Sequence, residues 1–157
     1  MKSFIAYGVA MLISISTAHA DISGPCAPKR TNYLASETST QTASVAFIEV
    51  ANSEVFFRQG GTSPGCVIVQ FYAATAVKDN VLYVRAVLND LSSVTPAQAA
   101  FGGAAFYTGN LFYGANSMAF VFPSVSPGKH IAYMQMKTLN GDNVAEIDQH
   151  TILVMHN

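Results

Sequence analysis

The chain is predicted to fold as an all-β antiparallel sandwich, jelly-roll-like and of about eight strands. Three observations carry that prediction. Short β-branched and aromatic runs recur along the chain, turn residues punctuate them every 8–12 residues, and glycines break up the one region that might otherwise form a helix. A small closed β-barrel is the alternative that the same pattern permits.

The chain opens with an export signal. Lys2 provides a positive start, Phe4 to Ser16 is apolar and uncharged, and Ala18-His19-Ala20 is a small-x-small cleavage site. Residues 1–20 are therefore read as a signal peptide, leaving 157 − 20 = 137 residues, the size of one domain. Elsewhere Lys78, Asp79, Arg85 and Asp90 interrupt the most hydrophobic stretch, so no membrane span is expected after cleavage. The expected location is secreted or periplasmic.

Residues 21–41 are polar, contain Pro25 and Pro28, and show no periodicity; they are read as an N-terminal arm. Cys26 and Cys66 are the only two cysteines. In an oxidising compartment they are expected to pair and tether the arm, closing a loop worth roughly 4 kcal/mol in the chain-entropy model. Cys-x-x-Cys spacing is absent, so a redox or metal role for the pair is not favoured.

Residues 42–157 form the predicted sandwich. SVAFIEVA and EVFFRQ read as strands, ended by the Gly60-Gly61 to Gly65 break. CVIVQFYAATAV and NVLYVRAVLND follow, joined through Lys78-Asp79-Asn80 as an expected hairpin. In the second, Leu82, Val84, Ala86 and Leu88 share one face. Ser92 to Ser117 reads as loop with one or two short strands because four glycines divide it. A strand ended by Pro123, a Ser126-Pro127-Gly128 turn and the strand Lys129 to Leu139 come next. Asn140-Gly141-Asp142 is the strongest hairpin signal, and Val144 to His156 returns from it.

GCVIVQFYAATA with YVRAVLND, followed by SPGKHIAYMQMKT and HTILVMH, resembles a strand-and-turn pattern of small secreted bacterial β-sandwich proteins. The resemblance covers residues 40–157. It implies a fold and no activity, cofactor or catalytic residue.

Charge narrows the functional classes. The mature chain carries 7 basic and 9 acidic residues, a net of 7 − 9 = −2, so nucleic acid is not an expected partner. Half the chain is apolar and 11% is charged, so a sticky exposed face is expected alongside the core.

Four constellations bear on chemistry. Glu146, Asp148 and His150 alternate on the last strand, so strict two-residue alternation puts them on one face. With His130 they could hold a divalent ion and support a small metal-dependent hydrolase. Against this, alternating polar residues usually form a solvated face, and His130 keeps apolar company in Ala132, Met134 and Met136. No nucleophile elbow or convergent carboxylate pair supports another hydrolytic mechanism, so no catalytic residue is assigned and the chain reads as a non-enzyme. Tyr107, Asn110, Phe112 and Tyr113 form an aromatic and amide stretch suited to a binding platform, with aromatic capping of the sandwich as the plainer reading. Arg85 is assigned a structural cross-strand role. The preferred function is a non-catalytic binding module for carbohydrate or another extracytoplasmic protein, needing no cofactor. The other readings are the metal-dependent hydrolase and a structural component self-associating through strand edges.

Overall fold

A computed structural model of the chain describes residues 26–90, 98–99, 104–107 and 113–157. The expected signal peptide, residues 1–20, lies outside them. The strands are β1 Arg30–Ser36, β2 Thr40–Thr42, β3 Ile48–Glu49, β4 Val55–Gln59, β5 Gly65–Val77 and β6 Val81–Asp90. After these come β7 Gln98–Ala99, β8 Ala104–Tyr107, β9 Gly114–Val125, β10 Gly128–Thr138 and β11 Ala145–His156.

Two antiparallel sheets result. The first runs β1-β11-β5-β9, with β2 also on β11; the second runs β3-β10-β6-β7, with β4 on β10 and β8 on β6. Among the described residues, counting β1 with β2, β3 with β4 and β7 with β8 as single strands leaves 11 − 3 = 8. In that count the sheet orders are 1-8-3-6 and 2-7-4-5, the wiring of a jelly roll rather than a closed barrel.

The core is built from inward alternation in both sheets. Val67, Val69 and Phe71 of β5 and Ile152 and Val154 of β11 meet Leu82, Val84 and Ala86 of β6 and Met134 and Met136 of β10, all fully buried. The face predicted for β6 is the core face.

Two predicted hairpins are corrected. β5 pairs with β11 and β9, whereas β6 pairs with β10, β7 and β8, so Lys78-Asp79-Asn80 carries the chain from one sheet to the other. Asn140-Gly141-Asp142 does the same between β10 and β11. Turn residues encode reversal of direction; they do not choose the partner strand. Asn80 ties these two corners together. Its amide nitrogen donates to the Asn140 carbonyl at 2.9 Å, and its oxygen accepts the Val81 N–H at 2.8 Å.

The expected arm is also corrected. Arg30–Ser36 pairs with β11 from Arg30↔His156 to Ser36↔His150 and forms an edge of the first sheet. An edge strand with solvent on one face needs few apolar side chains, so its sequence signal is weak. Cys26 and Cys66 do form a disulfide, with Cα atoms 5.6 Å apart, pinning the segment before β1 to the start of β5. Such a bond is characteristic of an oxidising, extracytoplasmic compartment.

Pro123 does not end β9, which runs on to Val125. The β5–β9 register shifts between Gly65 and Val67, opposite this point, and a bulge on an edge strand is where proline is tolerated. Arg85 takes the expected cross-strand role, directly opposite Gln135 of β10. Its guanidinium lies 3.9 Å from the centre of the Phe47 ring, and its Nε donates to Gln135 Oε1 at 2.8 Å.

Candidate functional site

The proposed metal ligands are separated by one irregularity. β11 and β5 pair Ile147↔Thr75 and then His150↔Ala73, so β11 carries one extra residue. This bulge breaks the alternation: Glu146 and Asp148 stay half-exposed, and His150 turns into the interior at 3% exposure. Its Nε2 lies 3.2 Å from the Asn52 carbonyl, and because a carbonyl only accepts, Nε2 carries the proton. Asn52 presents that carbonyl from a left-handed turn (φ 53°), a conformation asparagine tolerates. His130 sits in the other sheet, with Nε2 donating to the Ser126 carbonyl at 2.8 Å and its ring stacked 5.4 Å from Phe57. Among the described residues no group of three or more His, Cys, Asp or Glu converges to hold a metal ion. The four-residue constellation is therefore not assembled.

Of the predicted aromatic platform, Asn110 and Phe112 lie outside the described residues. Tyr107 ends β8 in the second sheet, paired with Val81. Tyr113 precedes β9 in the first sheet and is 55% exposed.

Tyr113 leads to a site that lies elsewhere. Thr75↔Gly114 pairing places it opposite Ala76, whose other neighbour is Glu146. The small Ala76 side chain leaves room for the Tyr113 hydroxyl to reach over it and donate to Glu146 Oε2 at 2.7 Å. Ser39 donates to Oε1 of the same carboxylate at 2.5 Å. These donors, Ser39 foremost and then Tyr113, hold the Glu146 carboxyl below its ordinary value, outweighing a slight burial effect in the other direction. The hydrogen bond to Glu146, followed by burial and the nearby carboxylate charges, pushes the Tyr113 hydroxyl up.

The sign of the linked stability follows. A depressed carboxyl contributes stability fully present above the ordinary value of 4.5 and lost as pH falls through the lower folded value. Glu146→Gln should flatten that acid limb in denaturation midpoints measured from pH 7 downward. The expected difference is about a few tenths of a kcal/mol because the group is exposed.

Glu146 and Tyr113 mark one end of the outer face of the first sheet. Away from that end the face holds three cross-strand rows of four residues. Thr31, Met155, Ile68 and Val121 form the first. Tyr33, Leu153, Gln70 and Ala119 form the second. Ala35, Thr151, Tyr72 and Ser117 form the third. None is charged. Tyr33 is 76% exposed and Tyr72 43%, with the Tyr72 hydroxyl donating to Gln70 Oε1 at 3.0 Å.

Beside the third row the face sinks into a cleft of about 770 Å³. Alanines 35, 74 and 115 keep it low, and Tyr72, Gln149 and Glu37 stand around it. The bulge contributes directly, since Gln149 is brought to the surface next to Asp148. This volume falls in the range of small-molecule sites, about 300–1,000 Å³. The outer face of the second sheet has a different character: there Lys137 stands over the Phe47 and Tyr83 rings, and Lys129 pairs opposite Arg58.

The sequence held a signal for this face. β5, thirteen residues long, and β9, twelve residues long, contain no charged residue. The cleft itself draws on four strands and has no contiguous motif.

No protein-family model matches the chain. No curated protein matches it either. Among solved structures it is similar to particles derived from infectious bursal virus: 14% identity over 92% of this chain and 36% of that chain, TM-score 0.47. The Gx strain of infectious bursal disease virus gives 12% identity over 83% of this chain and 34% of that one, TM-score 0.46. Eiger TNF from S. frugiperda gives 7% identity over 76% and 92% of the two chains, TM-score 0.36. The chain spans about a third of the length of the viral proteins it matches. These likenesses say nothing of activity or partner.

Proposed function

We propose that the mature chain is a secreted or periplasmic, non-catalytic contact module that binds through the outer face of its first sheet. The charge-free rows across β1, β11, β5 and β9 support this reading. A solvated outer sheet face ordinarily alternates to polar and charged side chains, and a contiguous uncharged one marks a contact surface. The disulfide agrees with work outside the cytoplasm.

Two measurements test the reading. N-terminal sequencing of the exported product should start at Asp21; full-length protein held in the cytoplasm would contradict export. Purified protein should co-sediment with washed bacterial envelopes, and the pair Tyr33→Glu with Val121→Glu should remove that retention with a melting temperature close to wild type. Equal retention of the charged variant would rule out this face.

A further inference from the structure

The cleft and three exposed tyrosines narrow the partner, given the contact-face reading above. Tyr33, Tyr72 and Tyr113 lie on a diagonal from β1 across β5 to the start of β9. With rows about 7 Å and strands about 4.8 Å apart, successive tyrosines stand roughly 12 and 14 Å from one another. That stride suits an extended chain of rings rather than one small molecule. We infer that this diagonal binds a neutral oligosaccharide segment, laid over the tyrosines with its middle seated in the cleft.

The chemistry of the cleft favours that occupant. Its alanine floor accepts the flat apolar face of a sugar ring, and Tyr72, oriented by its bond to Gln70, offers a rigid aromatic side. Ser117, Thr151 and Gln149 bring hydroxyl and amide groups, which both donate and accept as sugar hydroxyls require. Among the described lining residues Glu37 supplies the one carboxylate, and Asp148 precedes Gln149 at the cleft's edge. Glu146 and Lys78 line a separate hollow with Tyr113, where their charges offset one another. A uronic-acid or sulfated glycan would be repelled at the cleft. A second copy laid flat on this face would cover the uncharged rows and leave the cleft to water, forfeiting contact where the face is deepest.

The test is native electrophoresis of the purified exported protein through gels containing hydroxyethyl cellulose, laminarin or galactomannan, with alginate as the acidic comparison. Retardation is expected in at least one neutral gel and not in alginate. Tyr72→Ala and Tyr33→Ala should each weaken binding about tenfold. Phe56→Ala, which removes an exposed ring on the other sheet, should leave it unchanged. No retardation in any neutral gel, or retardation that survives Tyr72→Ala, overturns the inference. If the neutral gels are negative while envelope retention is still lost in the Tyr33→Glu, Val121→Glu pair, the contact face stands and the sugar does not. Dimerisation in sedimentation that Tyr72→Ala abolishes makes a second copy the occupant and likewise overturns the sugar.

Discussion

Reducing the Cys26–Cys66 bond, or replacing both residues by serine, should cost about 4 kcal/mol in the chain-entropy model for a loop of this size. Single domains have a total stability of about 5–15 kcal/mol, so this is a large share. The loop closed by the bond contains β1 to β4. β1 has one ladder neighbour, β11, and most of its side chains face water, so few contacts would hold this edge once the tether is cut. The melting temperature should fall by about 10–20 °C. Calorimetry with and without reductant checks this, and reductant should have no effect on the double serine variant. A wild-type transition indifferent to reductant would contradict the account.

Phe71→Ala should be comparably severe, at about 3–5 kcal/mol. Phe71 lies in the middle of β5, between β11 and β9, is wholly buried, and packs with its ring 6.1 Å from that of His150. Truncation would forfeit the burial of a large side chain and leave a void in a sheet interior that cannot collapse, because both neighbouring strands are held by their ladders. Tyr33→Ala is the matched control, since that ring is mostly exposed and its removal should shift urea midpoints little. Equal midpoints for the two variants would mean that the core is not centred on β5.

What could be read from the chain follows from the physics of each signal. Period-two alternation is local, so the inward face of β6 and the apolar company of His130 could be identified without coordinates. Partner choice is not local. The Asn140-Gly141 turn looks like a hairpin because reversal and crossing between sheets call for the same residues. The bulge on β11 left no mark in Asp148 or Gln149, yet it decides that His150 faces the core and that a cleft opens beside it. The sequence points to a binding platform in a contiguous aromatic stretch. The face that emerged is spread over four strands, and Tyr113 is the member common to both.

The position of β11 has a kinetic consequence. It lies between β1 and β5, and its ladder with β1 joins Arg30 to His156, nearly the whole described length apart. Loop closure over such separations is slow, so folding of this topology is governed by distant encounters. Until β11 is in place, β1 and β2 have no ladder partner among the described strands, and the first sheet lacks its keystone. The topology thus makes completion of the first sheet wait on β11, leaving β1 and β2 loose until that strand has docked.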